Sequence, residues 1–106
     1  MNNILISPKA QSDLEDIRQY ISFDLENPIA ATSTLKRITQ DIRLLSYQSQ
    51  IGKPLSTIVD CATDYRFLVS GNYLIFYRTL SDCVYVDRVL YARRDYLRIL
   101  LEDQME

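Results

Sequence analysis

Thr63 to Tyr96, TDYRFLVSGNYLIFYRTLSDCVYVDRVLYARRDY, reads as three consecutive strands of one antiparallel sheet followed by a helix start. The first strand carries Tyr65, Phe67 and Val69 on one face and Arg66, Leu68 and Ser70 on the other, and Ser70-Gly71-Asn72 supplies residues tolerant of positive φ for a tight reversal. The return strand, Tyr73 to Leu80, is mostly apolar on both faces, which places it in the middle of a covered sheet. After Ser81-Asp82, the third strand runs from Cys83 to Ala92. Its alternation puts Val84, Val86, Arg88 and Leu90 on one face and Tyr85, Asp87, Val89 and Tyr91 on the other. Asp87 and Arg88 interrupt this apolar run, so one face is expected to open to solvent or to a ligand near its middle.

Outward from this stretch, 106 residues with 47% hydrophobic content suffice for one core and are too few for two, so residues 1–106 form one domain. No segment approaches the ~20 apolar residues of a membrane span and the N-terminus lacks the apolar run of a secretory signal, an expectation of a cytoplasmic protein with no membrane partner. Cys61 and Cys83, the only cysteines, have no paired spacing and fit a reducing compartment. With no histidine in the chain, neither a metal nor a cofactor is expected, and acid–base work would fall to Tyr, Lys, Arg or a carboxylate.

The net charge is −2, but it is unevenly spread. Residues 1–60 hold six basic and seven acidic side chains; residues 61–101 hold six arginines against four aspartates; Glu102, Asp103 and Glu106 close the chain. Arginine presents a planar fork of donors to carboxylate or phosphate, so the middle segment is where an anionic partner would dock. The competing reading is a solvated sheet face on which these arginines pair with neighbouring aspartates.

Before the meander, Asn3 to Ile6 is a short strand ended by Ser7-Pro8, an N-cap followed by proline in the first helical turn. Ala10, Leu14, Ile17 and Ile21 recur at helical spacing, with Lys9, Asp13, Asp16 and Gln19 pointing elsewhere, in a helix ending near Phe23. Asn27-Pro28 repeats the start signal. Ala31, Leu35, Ile38, Ile42 and Leu45 stripe a second helix to about Tyr47, and the short connection makes the two a helical hairpin laid on the sheet. Gln48 to Ala62, with Gly52 and Pro54, reads as a long loop. Beyond Ala92, Arg93-Arg94-Asp95 precedes a short C-terminal helix, and cations there oppose the helix dipole, which hints at a role other than stability.

This order of an N-terminal strand, a helical hairpin on an antiparallel sheet with a three-stranded C-terminal meander, and a short last helix is an α+β fold. With SPKAQSDLEDIRQYI, Asn27-Pro28 followed by Ala30-Ala31, Gly52, YRFLVSGNYLIFYR and DRVLYARRDY in sequence, the chain resembles the RelE/ParE superfamily of bacterial type II toxins, in the plasmid stabilisation branch. The resemblance implies a growth-inhibiting toxin held in a hetero-oligomer with a cognate antitoxin, acting either on DNA gyrase or, with the ribosome, as an mRNA endonuclease. One fold serves both, so fold does not decide between them.

Endonucleases of the RelE type carry cations on the first hairpin strand, an arginine after the tyrosine that opens the second, and an arginine and tyrosine near the C-terminus. Cutting RNA by 2′-hydroxyl attack needs a proton acceptor, positive charge for the developing phosphorane and a donor for the leaving oxygen. Matched onto this sequence, Arg66 resembles the first basic position and Arg94 the C-terminal arginine, with Tyr96 near the place of the catalytic tyrosine. Leu68 and Leu74 stand where two further cations would be. An acidic balance also suits ribosome entry poorly. The resemblance therefore favours a ParE-like, non-catalytic gyrase inhibitor, the alternatives being the endonuclease and a degenerate toxin that serves only as antitoxin partner. Arg66, Arg78, Arg88, Arg93 and Arg94 are the candidate contacts to target or antitoxin. Arg66 could instead bridge Asp87 or Asp64, and the strand tyrosines at 65, 73, 77, 85 and 91 could simply follow strand preference.

Overall fold

The computed structural model describes residues 2–57, 63–93 and 98–100. Chain order is β1 (Asn3–Ile6), α1 (Pro8–Gln19) running into a π-helical turn (Tyr20–Asp24), α2 (Pro28–Leu44), β2 (Lys53–Pro54), a 3₁₀ turn (Leu55–Thr57), β3 (Arg66–Ser70), β4 (Tyr73–Leu80) and β5 (Cys83–Tyr91), with residues 98–100 helical. The expected meander is present, with β3 antiparallel to β4 and β4 to β5. Two further strands complete a five-stranded sheet of order β1-β5-β4-β3-β2, in which β1 pairs parallel with β5. β2 lies within the stretch whose sequence reads as loop. It is only two residues long, one of them proline, so no alternation reveals it, and its pairing with β3 is what makes it a strand.

Both helix starts follow their sequence signals. The Ala10 N–H donates to the Ser7 hydroxyl oxygen at 2.9 Å and the Ala30 N–H to the Asn27 side chain at 3.0 Å, each with proline next in the chain. Between the helices, Glu26 takes a left-handed φ of 51°, and the Asn27 N–H closes the reversal on the Ile21 carbonyl. The helical hairpin covers one sheet face. Ala10, Ile17, Ile21, Ala31, Ile38, Ile42 and Leu45 meet Ile75, Tyr77, Val84, Val86 and Val89 there. The other face has a smaller core of Leu55, Tyr65, Leu74, Phe76, Leu90 and Leu100. β4 feeds both, so Leu74 through Tyr77 are buried on alternate sides, as expected for the central strand.

The face assignment of β5 needs correction. Phe76 pairs with Arg88 but Tyr77 pairs with Val86, which leaves Asp87 as the extra residue of a β-bulge. One extra residue inverts the alternation beyond it, so Val89 joins Val84 and Val86 under the helices while Leu90 turns to the opposite core. Asp13 is corrected too. It lies at helical spacing between Ala10 and Ile17 and is 8% exposed, inside the packed face of α1.

Candidate functional site

The arginines of the meander have separate fates. Arg66, half-buried on β3, donates from Nη1 to the Gly52 carbonyl at 2.8 Å, and the Gly52 N–H donates to the Tyr77 hydroxyl at 2.9 Å. Neither Asp87 nor Asp64 is its hydrogen-bond partner; the clamp joins β3 and β4 to the turn before β2. A Cβ at Gly52 would lie 2.6 Å from the Phe67 carbonyl oxygen and from the Tyr77 hydroxyl, so only glycine fits. The two leucines at the resemblance's cationic positions lie apart. Leu68 packs against the core under the helices and Leu74 sits in the core of the opposite face.

Arg88 forms a bidentate pair with Asp13, Nε to Oδ2 at 2.8 Å and Nη2 to Oδ1 at 2.9 Å, and Oδ2 also accepts the Val89 N–H at 3.0 Å. β1 has ended by this point, so β5 has an unpaired edge, and the Ser7 and Asp13 side chains satisfy it at Asp87 and Val89. The Ser7 hydroxyl donates to the Asp87 carbonyl at 2.7 Å while Asp13 takes the next outward N–H. Sequence reasoning missed Asp13 because an aspartate inside an apolar stripe looks like a surface position; its spacing from Ala10 and Ile17 was the available signal.

Arg78, on the sheet face away from the helices, lies 5.3 Å from the Tyr65 ring centre and 5.7 Å from that of Tyr85. Its Nε is buried and has no hydrogen-bond partner among the described residues. The Tyr65 hydroxyl donates to the Asp87 carboxylate across the sheet. Burial, and then this carboxylate, push the Tyr65 phenol above its ordinary range. Arg93 follows β5 and is exposed, and Arg94 and Tyr96 lie outside the described residues. Of the five strand tyrosines, Tyr65 and Tyr77 are buried on opposite faces and only Tyr91 is exposed, so they form no stacking platform.

Where the helical hairpin turns, a cleft of about 650 Å³ opens between the π-helical turn and the end of β5. Ile17, Ile21 and Val89 form part of its lining, and Tyr20, Tyr73 and Tyr91 bring three rings to it. Tyr73 and Tyr91 meet edge to face at 5.7 Å. Burial, with Tyr91 and Tyr20 nearby, raises the Tyr73 phenol.

Residues 4–96 match the family model of the ParE toxin of the type II toxin-antitoxin system, parDE. The chain belongs to the ParE toxin family. A solved structure from the chromosomal ParDE system of P. aeruginosa is similar over 88% of this chain and 98% of that one, with a TM-score of 0.73 at 18% identity, and shares the fold. YafQ from E. coli strain BL21(DE3) is similar over 86% of this chain and 93% of that one, with a TM-score of 0.45 and 13% identity. No curated protein matches. A ParE-family toxin is one half of a toxin-antitoxin pair, and family membership implies an antitoxin partner for this chain. Among the described residues, no helix of this ParE-family toxin is long and apolar enough to cross a membrane.

Proposed function

We propose that this ParE-family toxin arrests growth by binding DNA gyrase in the cytoplasm, and that a cognate antitoxin neutralises it in a hetero-oligomer. The observation that carries the choice of gyrase over mRNA is the fate of the nuclease positions. Arg66 is engaged by the Gly52 carbonyl, and Leu68 and Leu74 are packed on opposite sides of the sheet. Phosphorane charge in RNA cleavage requires several donors converging on one point, and losing a single well-aimed donor costs about 10²–10³ in rate. Side chains separated by the sheet cannot be rescued by a small rotation.

In this reading no catalytic residue is needed. Arg93, exposed at the end of β5, and Arg78, with its guanidinium between two rings, are the contacts to an anionic surface, joined by Arg94. Arg66 and Arg88 hold the fold. Purified toxin added to a gyrase supercoiling assay and, in parallel, to translation of a defined mRNA tests the proposal. Blocked supercoiling with intact mRNA is expected. Codon-specific mRNA cuts that vanish in Arg94→Ala would restore the endonuclease.

A further inference from the structure

β5 runs on to Tyr91 while β1 stops at Ile6, so the second half of β5 is a sheet edge. The Ala92 N–H donates to the Asn72 carbonyl at 2.9 Å, which makes 72 and 92 a hydrogen-bonded pair. Antiparallel alternation then turns the backbone groups of Val89 and Tyr91 away from β4 and toward the edge. Asp13 takes the Val89 N–H on the same oxygen that accepts from Arg88 Nε. At Tyr91 the edge opens into the cleft beside the hairpin turn.

The cleft is apolar at its rim and carries a net negative charge. Leu25 is 55%, Tyr20 52% and Tyr91 39% exposed, which gathers three large apolar side chains at one opening. Two carboxylates lie on its helical wall. Asp13 is neutralised by Arg88, whereas the Asp16 carboxylate is exposed and has no hydrogen bond or ion pair with another described residue. Asp16 and Tyr20 are four residues apart, hence neighbours on one helical face. Aromatic rings around an uncompensated carboxylate favour a cation, and a free strand edge favours an extended backbone.

From this we infer that the cleft receives an extended, basic segment of the antitoxin, which adds to the β5 edge at Tyr91 and places a lysine or arginine among Tyr20, Tyr91 and Asp16, with apolar neighbours on Ile21 and Leu25. The inference rests on the toxin-antitoxin reading. It adds a contact of opposite sign to the arginine contacts: the antitoxin offers carboxylates to Arg78 and Arg93 and a cation to this cleft.

The test pairs the full toxin with the product of the adjacent reading frame and measures Kd for wild type, Asp16→Lys, Tyr20→Ala and a control, Leu80→Ala, at the far end of β4. Both cleft positions are exposed, and thermal melting run alongside reports the fold. The expected result is a loss of about tenfold or more in affinity for each cleft variant and none for the control. One Lys→Glu or Arg→Glu change in the antitoxin should restore affinity for Asp16→Lys only, and the Tyr91 amide should exchange more slowly in the complex. Full affinity in both cleft variants with unchanged Tyr91 exchange overturns the inference alone. A self-association of the toxin that Asp16→Lys abolishes overturns it as well, in favour of a second copy as occupant. No binding by wild type removes the toxin-antitoxin reading, and this inference with it.

Discussion

Tyr77 shows how one buried residue can carry two duties. Its ring lies in the core under the helices and its hydroxyl accepts the Gly52 N–H, so the loop before β2 hangs on a side chain 25 positions away. Removing the hydroxyl leaves a buried N–H without a partner, a penalty of ~1–3 kcal/mol. Tyr77→Phe should lower stability by that amount in urea denaturation, and Gly52→Ala, whose Cβ has no room, should lower it at least as much. A second effect is titrimetric. Tyr65, Tyr73 and Tyr77 all have phenols raised above the ordinary value of 10.0, mainly by burial. The folded state therefore holds these protons more tightly than the unfolded chain, so their contribution is complete below pH 10 and is lost as the pH rises beyond it. Melting temperature should fall steeply above about pH 10, and Tyr65→Phe should flatten that limb. An unchanged slope in the variant would remove Tyr65 as a cause.

At the scale of elements, a buried ion pair joins α1 to β5. Asp13 and Arg88 are 10% and 15% exposed in their side chains, and the pair is bidentate. Each half stranded alone would be a buried charge, and breaking such a pair by removing one partner costs about 3–5 kcal/mol. Asp13→Ala should approach that loss in denaturant titration and also free the Val89 N–H, whose exchange should quicken. The double variant Asp13→Leu with Arg88→Met should recover much of the stability, since the desolvation cost disappears with both charges. This joint explains what could be read of the two elements and what could not. The stripe Ala10, Ile17, Ile21 was legible because burial repeats at helical period. Asp13 was not, since its burial is bought by an arginine 75 residues later across a bulge that strand alternation cannot foresee.

Over the whole molecule, the excess of arginine in residues 61–101 divides by function. Arg66 and Arg88 are turned inward to carbonyl and carboxylate, Arg78 is held between rings, and Arg93 stands exposed. Charge reversal should therefore give two phenotypes. Arg93→Glu should weaken binding to antitoxin or gyrase and reduce its salt dependence while leaving stability within about 0.5 kcal/mol, as an exposed site does. Arg66→Glu should destabilise the fold first. Affinity at several salt concentrations beside a denaturation curve separates the two; equal stability loss in both would contradict the division.

The fold was largely legible by itself. Two N-caps followed by proline, two apolar stripes and two turns in the meander are local signals, and the free energies behind them act within a few residues. What tertiary structure decided is non-local. Parallel pairing of β1 with β5, the strand identity of Lys53–Pro54, the bulge at Asp87 and the partners of Arg66 and Arg88 all join residues far apart in sequence. An arginine read from sequence is only a cation with a reach. Whether it meets a carbonyl, a carboxylate, two rings or solvent is set by which backbone the sheet brings beside it.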